Sequence, residues 1–467
     1  MWRRFLNSAD YRVGAVTVVT DRFSAGACSA GGMLLLCHWS GCCSAWTPVH
    51  FKIRTKGMDT AVKAQSNWVL SAVMATAAVM VVGCGSDGNS AAESGKKGEV
   101  TAAQCADAAE IKPGEKAETT ALVVDNTASA ARGQLPPAVQ GALKEAQVAG
   151  NKLVMVAVHG AGEAVTVGRV VALDPRPGVD SQVADNARKL MLECVGLWVH
   201  EDRMLPTAAG SDILGALGAA SRENPKKLLV ISDGLANTGD LDLNRSGFDS
   251  DPKMLADTIK NAKSLPPTLQ GQTVVWSGLG ETGTVLPQAL RTSLEGVWTA
   301  VLGAAGASVT FDARVGGSAT PAPSGMPADE VKLPKATETT NGCGTEITVP
   351  TALLFSPNSA ALQQDTGTVL SDVANTLKGH ADWVAVVAGH TANYGTQEGQ
   401  LKLSRQRAEA VAGRLVQLGV DRSRLTTEGY GSSRPAVPEI VGNVHDEAAA
   451  AKNRRVVIVI GPKGCAR

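Results

Sequence analysis

Two arginines in the C-terminal quarter of the chain have the surroundings of an anion-binding site. Arg405 and Arg407 follow a polar turn at residues 389–395, and that turn follows a run of β-branched and small apolar residues. The pattern predicts a buried strand, a glycine-containing turn and then an amphipathic helix. We expect both arginines to lie at the start of that helix, facing the turn. Cationic side chains beside the free N–H groups of a helix start can bind anions such as carboxylates.

The same stretch resembles the core motif of OmpA-like peptidoglycan-binding domains. The matching residues are Gly389-His390-Thr391 and Leu403-Ser404 with Arg407-Ala408, together with Phe355, Ser359 and Leu362 upstream and Gly429-Tyr430-Gly431, Arg434-Pro435 and Asn453-Arg454-Arg455-Val456 downstream. The resemblance implies an α+β OmpA-like domain over residues 343–467. The chain departs from the family motif twice: Ala392 replaces the aspartate of the turn, and Gln400 replaces the usual asparagine.

The resemblance also implies a ligand. In this family the arginine binds a carboxylate of the diaminopimelate residue in the peptidoglycan stem peptide, and the aspartate binds its ammonium group. Carried over to this chain, the expected peptidoglycan-binding residues are Arg407, Thr391, Asn393 and Ser404. Ala392 cannot hold an ammonium group, and the loss of one charge-assisted hydrogen bond costs about 1.5–3 kcal/mol. Asn393 or Glu398 could substitute for the aspartate. The alternative is that Arg407 is a surface charge on the helix.

The composition excludes some classes of partner. The chain of 467 residues has 44 Lys+Arg and 44 Asp+Glu, so it lacks the basic excess that non-specific nucleic-acid binding needs. Its length allows two or three domains. Aromatic residues make up only 4% of the chain, so the cores must be built from Val, Leu, Ile and Ala.

Residues 1–57 differ from the rest of the chain. They hold four of the nine cysteines, and no helical or strand period runs through them. Either this segment is a cysteine-rich leader, or translation begins at Met58. We favour a start at Met58, because the residues after it have the pattern of an export signal. Residues 1–57 are therefore expected to be untranslated or disordered.

Residues 58–83 are predicted to be a lipoprotein signal peptide. Val69 to Gly83 is an Ala/Val-rich run that is short for a membrane-spanning helix. The residues Val81-Val82-Gly83-Cys84 resemble a bacterial lipobox, which implies that Cys84 is lipidated, becomes the mature N-terminus and anchors the protein to a membrane. A flexible tether is predicted over residues 84–114. The alternative is a signal anchor that stays uncleaved.

Four further cysteines agree with export. In an oxidising compartment, Cys105, Cys194, Cys343 and Cys465 suggest two disulfides, for which three pairings are possible. We predict Cys105–Cys194 in the middle of the chain. We also predict Cys343–Cys465, because these two cysteines flank the C-terminal domain. The alternative is that the cysteines are buried free thiols.

Residues 115–313 alternate strand-like and helix-like segments. The predicted strands are 121–124, 153–158, 165–173, 227–231, 273–277 and 307–311, and the predicted helices are 179–200, 211–220, 252–264 and 286–302. This alternation predicts an α/β domain with a mostly parallel sheet and helices on both faces. Functional loops gather at the carboxyl ends of the strands in such sheets. Hydroxyl and carboxylate side chains occur in three of these loops: Asp125, Thr127 and Ser129; Ser211; and Asp233.

Together these side chains resemble the metal-ion-dependent adhesion site of von Willebrand factor type A domains. That site has the pattern D-x-S-x-S, a threonine before a helix and an aspartate in S-D-G. The resemblance implies a doubly wound von Willebrand A-like fold and a Mg²⁺ site formed by Asp125, Thr127, Ser129, Ser211 and Asp233. Mg²⁺ prefers octahedral oxygen ligands, which these side chains offer. The alternative is that the aspartates only cap helices and that the fold carries no ion.

Residues 314–342 are rich in Pro, Ala, Ser and Thr and are predicted to link the two domains. The chain is thus expected to be a lipid-anchored cell-envelope protein that binds peptidoglycan and presents a von Willebrand A-like domain to an unknown protein ligand. A first alternative is a metal-dependent adhesion or scaffold receptor whose C-terminal domain is a degenerate spacer. The sequence contains no catalytic constellation, so we expect no enzyme; the alternative is an envelope hydrolase in the middle domain.

Overall fold

The structure is a computed structural model that describes residues 100–466 except 131, 161–166, 283–285, 313–315, 321–323, 365 and 443. The predicted leader, the signal peptide, Cys84 and most of the tether lie outside the described residues. Within the described part of the chain, no helix is both long and apolar enough to cross a membrane. The described residues belong to one compact unit, which contains a six-stranded and a five-stranded sheet.

The middle domain is built on the six-stranded sheet. Its elements in chain order are α1 (Ala102–Ala109), β1 (Thr119–Val124), β2 (Arg132–Gln134), α2 (Pro137–Val148), β3 (Lys152–Ala157), β4 (Val167–Ala172), α3 (Gln182–Trp198), α4 (Ile213–Arg222), β5 (Lys227–Ile231), β6 (Asn237–Thr238), β7 (Leu241–Asp242), α5 (Leu243–Ser246), α6 (Pro252–Asn261), β8 (Thr273–Ser277), α7 (Gln288–Ala304), β9 (Ser308–Asp312) and β10 (Gly316–Thr320). The strand order is β4-β3-β1-β5-β8-β9. Every neighbouring pair is parallel except β3 and β4, so the prediction of a mostly parallel α/β sheet is confirmed.

Both faces of this sheet are covered by helices. Side chains alternate along β1, so that Ala121 and Val123 pack toward α4, α6 and α7. Leu122 and Val124 pack toward α1, α2 and α3 on the opposite face. A strand that is buried on both faces has a continuous apolar sequence. This explains why residues 121–124 contain no polar side chain.

The end of the predicted tether is folded. Residues 102–109 form helix α1, because the side chains of Thr101 and Gln104 make a capping box at its start. A disulfide between Cys105 and Cys194 joins α1 to α3. This disulfide is the predicted one, and it ties the first described helix to the core of the middle domain.

The C-terminal domain places two helices on one face of the five-stranded sheet. Its elements are β11 (Thr337–Asn341), β12 (Gly344–Pro350), α8 (Gly367–Gly379), β13 (Trp383–Gly389), α9 (Gln397–Gln417), β14 (Leu425–Gly429), β15 (Ile440–Val441), β16 (Val444–His445), α10 (Glu447–Asn453) and β17 (Arg455–Pro462). The strand order is β11-β12-β17-β13-β14, with β13 and β14 parallel and the other neighbours antiparallel. Ala385 and Val387 of β13 pack against α8 and α9. The predicted disulfide Cys343–Cys465 joins the two ends of the domain.

Much of the segment predicted as a linker belongs to the two domains. Strand β10 pairs with β2, and β11 is an edge strand of the C-terminal sheet. Between them, Val331 and Leu333 pack against the core of the middle domain. The backbone oxygen of Ala328 accepts a hydrogen bond from Gly210 N at 3.0 Å. The chain therefore crosses the surface of the middle domain in a fixed path before it enters the second sheet.

Candidate functional site

The predicted metal-site residues come together at the carboxyl end of the six-stranded sheet. Asp125 follows β1 and accepts hydrogen bonds from Thr127 Oγ1 at 2.6 Å and from Ser232 Oγ at 2.7 Å. Asp233 follows β5, and its Oδ1 accepts a hydrogen bond from Leu235 N at 2.9 Å. Parallel strands end at the same edge of a sheet, so loops that are distant in sequence meet there.

A further carboxylate reaches this cluster from the segment between the two sheets. Asp329 accepts a hydrogen bond from Ser129 Oγ at 2.5 Å and another from Asn237 Nδ2 at 2.6 Å. The amide oxygen of Asn237 in turn accepts a hydrogen bond from Ser211 N at 2.7 Å. Asn237 thus connects Ser211 to the rest of the cluster. No sequence signal marks Asp329, because it lies in a segment with the composition of a linker.

The oxygen atoms of this cluster fit a hard cation. Ser211 Oγ and Asp233 Oδ2 are buried and have no hydrogen-bond partner among the described residues. Burial raises the pKa of Asp125, and burial together with the charge of Asp125 raises the pKa of Asp233 well above its usual value. Neighbouring buried carboxylates are stabilised either by protonation or by a cation, and Mg²⁺ accepts such oxygen ligands.

The donor set relies on hydroxyl groups. The described residues contain no group of three or more His, Cys, Asp or Glu side chains arranged to hold a metal ion. A bound Mg²⁺ would therefore need the hydroxyls of Thr127, Ser129 or Ser211 in addition to the aspartates.

At the C-terminal site, Arg407 lies in the middle of a helix. Helix α9 begins at Gln397, after Thr396, whose side chain accepts a hydrogen bond from Gly399 N. The prediction that Arg405 and Arg407 stand at the helix start is wrong, because Thr396 caps the helix and good helix formers follow it. The free N–H groups of the first turn therefore do not contribute to an anion site at Arg407.

Arg407 is buried. Only 3% of the residue is exposed. Its Nε donates a hydrogen bond to the backbone oxygen of Ser359 at 2.9 Å, and its guanidinium lies 5.2 Å from the centre of the Phe355 ring. Burial lowers the pKa of Arg407 to about 10, while the negative charge of Asp249 in the middle domain acts in the opposite direction. Arg407 is thus a buried cation at neutral pH and not a surface charge.

The other predicted peptidoglycan-binding residues have different surroundings. Thr391 is buried beside the turn, and its hydroxyl has no hydrogen-bond partner among the described residues. Asn393 is exposed and accepts a hydrogen bond from Gln400 Nε2 at 3.2 Å. Ser404 is fully buried, donates to Leu401 O at 3.0 Å and accepts from Gly431 N at 2.9 Å. Ser404 therefore holds α9 against the loop after β14 and is not available to a ligand in this arrangement.

Carboxylates near the turn come from another part of the chain. Glu439 accepts hydrogen bonds from Asn393 N and, at 2.7 Å, from Asn453 Nδ2. Glu447 accepts a hydrogen bond from the Tyr394 hydroxyl at 2.5 Å. Glu398, the candidate substitute from the sequence, is exposed in the first turn of α9. Glu439 and Glu447 thus surround the turn that carries Ala392, and no local pattern could identify them.

A second buried arginine belongs to the same site. The guanidinium of Arg454 lies 2.8 Å from Glu447 Oε1 and 2.9 Å from Asp249 Oδ1. Its charge also acts on Arg407 and lowers the pKa of that residue further. The site therefore contains two buried arginines, and the carboxylates of Glu447 and Asp249 are the partners of Arg454.

Comparison with known proteins identifies the C-terminal domain. Residues 354–449 match the sequence model of the OmpA family. The peptidoglycan-associated lipoprotein of Agrobacterium fabrum is 31% identical over 139 residues, which cover 29% of this chain and 76% of that protein. The chain belongs to the OmpA family.

Two further proteins resemble this OmpA-family chain. The probable lipoprotein YiaD of Escherichia coli is 33% identical over 134 residues, which cover 29% of this chain and only 59% of that protein. The crystal structure of the periplasmic domain of Helicobacter pylori MotB is 24% identical and covers 28% of this chain and 83% of that chain, with a TM-score of 0.25. The matched part thus spans less than two thirds of the Escherichia coli relative.

Proposed function

We propose that this OmpA-family protein binds peptidoglycan non-covalently in the cell envelope. The observation that carries the proposal is the placement of two buried arginines, Arg407 and Arg454, near a motif turn that two glutamates contact; Arg454 pairs with one of these glutamates, Glu447. Arg407 and Arg454 offer positive charge to a ligand carboxylate, and an arginine can hold a carboxylate through two hydrogen bonds. Glu439 and Glu447 offer negative charge to an ammonium group. Diaminopimelate in the stem peptide carries both groups.

A carboxylate from elsewhere in the chain, that of Glu439, can take the role of the missing motif aspartate. Ala392 has no charge, yet Glu439 accepts a hydrogen bond from the backbone N–H of the next residue, Asn393. The ammonium partner therefore comes from a different segment of the chain. The similarity to the Agrobacterium fabrum peptidoglycan-associated lipoprotein supports the same proposal.

The proposal includes a membrane anchor and a non-catalytic role. Residues 58–84 support lipidation at Cys84, which would hold the protein at a membrane while the OmpA-family domain contacts the wall. The wall polymer is bound and not cleaved. Incubation with purified peptidoglycan should release no soluble fragments, and any turnover would point instead to a hydrolase in the middle domain.

Co-sedimentation of the full chain with purified diaminopimelate-type peptidoglycan tests the proposal. Wild-type protein should sediment with the wall, and Arg407→Ala should weaken binding by about tenfold or more, since a charge-assisted contact is worth about 1.5–3 kcal/mol. Arg414→Ala is the matched control, because it removes the same charge from the same helix without touching the site. Binding that survives Arg407→Ala, or is lost equally in the control, contradicts the proposal.

We propose as a second candidate function that the middle domain is a von Willebrand A-like receptor for an acidic protein ligand. The strand order β4-β3-β1-β5-β8-β9 and the buried, unpartnered oxygens of Ser211 and Asp233 support it. Asp125, Thr127, Ser129, Ser211 and Asp233 would hold the ion. A bound Mg²⁺ would supply an electrophilic position for a ligand carboxylate. Capture of an acidic peptide that requires both Mg²⁺ and Asp233 would test this function.

A further inference from the structure

A segment of the middle domain fills the arginine site of the OmpA-family domain. Asp249 lies between α5 and α6 and is 7% exposed. One of its carboxylate oxygens lies 2.9 Å from Arg454 Nε, and the other accepts a hydrogen bond from Thr351 Oγ1 at 2.6 Å. The charge of Asp249 also raises the pKa of Arg407 against the effect of burial. A single carboxylate of the middle domain thus acts on both buried arginines.

The next residue, Ser250, contacts a negatively charged side chain of the site, Glu447. Ser250 Oγ lies 2.7 Å from Glu447 Oε1 and can donate its single hydrogen either to this carboxylate or to the backbone oxygen of Ser246. Glu447 is the same side chain that pairs with Arg454 at 2.8 Å. Asp249 and Ser250 therefore present a carboxylate to an arginine and a hydrogen-bond donor to a glutamate. A free amino-acid group, with its carboxylate and ammonium, would present the same pair of functions to the same two partners.

The two domains are in close contact at Gly247. Gly247 has a φ of +75°, and a Cβ added there would lie 2.9 Å from the Cβ of Ala451 in α10. On the other side of the site, Ala352 is 2% exposed and packs into the core of the middle domain. The backbone of the middle domain therefore lies directly against the OmpA-family domain, and both arginines are largely buried.

We propose that residues 246–251 are an internal ligand that blocks the arginine site until the two domains separate. This inference rests on the proposed peptidoglycan-binding function of the same site. The occupant of the arginine site is this segment itself, whose Asp249 and Ser250 contact Arg454, Thr351 and Glu447 in the structure. In a two-state equilibrium, the apparent affinity for a ligand falls in proportion to the fraction of molecules that are open. The protein would then bind the wall weakly while closed and tightly once the middle domain is pulled away.

The test compares the binding of full-chain variants to purified diaminopimelate-type peptidoglycan. Asp249→Asn keeps the size of the side chain and removes its charge, so it should tighten binding by about tenfold or more if the open state is a minor one. Ser250→Ala removes the hydroxyl contact to Glu447 and should tighten binding to a smaller extent. Asp257→Asn is the matched control, because it also removes one negative charge from the middle domain. Asp257 pairs with Lys253 on the exposed surface of α6, away from the arginines. The affinity of this variant for peptidoglycan should equal that of wild type.

A further variant separates this inference from the proposed function. Arg407→Ala should weaken binding by about tenfold or more, both relative to wild type and, in the double variant, relative to Asp249→Asn. If Arg407→Ala weakens binding in this way while Asp249→Asn and Ser250→Ala bind like wild type, the anchor function stands and the internal ligand is refuted. If no variant binds the wall, the proposed function fails and the internal ligand fails with it. Circular dichroism of each variant identifies any that do not fold.

Hydrogen exchange gives a readout that does not depend on the variants. A soluble muropeptide that contains diaminopimelate is added to the wild-type full chain. If it displaces the internal ligand, the backbone amides of residues 246–251 should exchange faster, while those of β1 stay protected. Muropeptide binding with unchanged exchange in residues 246–251 would overturn the inference.

Discussion

The carboxylate of Asp249 lies 2.9 Å from the guanidinium Nε of Arg454, across the boundary between the two domains. Both side chains are almost completely buried, and Glu447 is the second partner of the same arginine. Taking charges out of water has a large cost, which is offset here because Arg454 has Glu447 as a second partner and Asp249 accepts a hydrogen bond from Thr351. This ion pair therefore reports directly on whether the two domains are docked.

A double-mutant cycle should measure this pair. Arg454→Ala removes the cation that pairs with both Asp249 and Glu447, and it should lower the free energy of unfolding by about 3–5 kcal/mol. Asp249→Ala should have a smaller effect, because Arg454 keeps Glu447. The coupling energy between the two changes, measured by urea unfolding, should be about 0.5–3 kcal/mol. The exposed pair Lys253 and Asp257, at 2.8 Å, is the control and should show much weaker coupling, because water screens both charges. Additive effects in the first pair would contradict the docking described above.

His390 should make the OmpA-family domain sensitive to acid. Burial lowers the pKa of His390 to about 4 from its usual 6.5, and the charge of Arg455 acts in the same direction. Between these values the unfolded chain binds a proton that the folded chain does not, so stability is complete above pH 6.5 and falls as the pH drops toward 4. His390→Gln should flatten this part of the curve of unfolding free energy against pH. The same substitution at the exposed His380 should leave the curve unchanged, and equal curves for all three proteins would exclude His390 as the cause.

The disulfide between Cys105 and Cys194 should stabilise the middle domain. It closes a loop with a sequence separation of 89. Replacing both cysteines with alanine should lower the free energy of unfolding by about 2–4 kcal/mol. The amides of α1 should also exchange faster, because the disulfide ties this helix to α3. The matched variant without Cys343 and Cys465 should leave α1 exchange as in wild type. Unchanged exchange in α1 after removal of Cys105–Cys194 would show that packing alone holds the helix.

Mg²⁺ should stabilise the middle domain if the oxygen cluster binds it. At an ion concentration of 100 times Kd, binding adds about 2.7 kcal/mol and raises the unfolding temperature. Ser211→Ala and Asp233→Asn should both remove this thermal shift, since each deletes a buried, unpartnered oxygen. Asp185→Asn, at an exposed position on α3, is the control and should keep the shift. An equal shift in every variant would place the ion elsewhere, and no shift in wild type would argue against the site.

Several features of this protein follow from its sequence alone. The alternation of apolar strands and amphipathic helices predicted a mostly parallel sheet, because side-chain period and helix spacing are local properties of the chain. The sequence also predicts both disulfide pairs, because Cys343 and Cys465 flank the C-terminal domain, while Cys105 precedes the middle domain and Cys194 lies inside it. The motif around Arg407 identified the C-terminal domain by an ordered set of residue types. The position of the helix start was missed, because it depends on the single cap at Thr396.

Only the tertiary structure decided what the functional side chains contact. Asp329 joins the hydroxyl cluster from the segment between the two sheets, and Glu439 approaches the turn that carries Ala392. Asp249 meets Arg454, which is far from it along the chain, through the docking of two domains. Such contacts have no local sequence pattern, because their energy depends on desolvation and on the mutual orientation of folded surfaces. The sequence determined which residues could bind charge, and the docking of the domains determined which charges they meet.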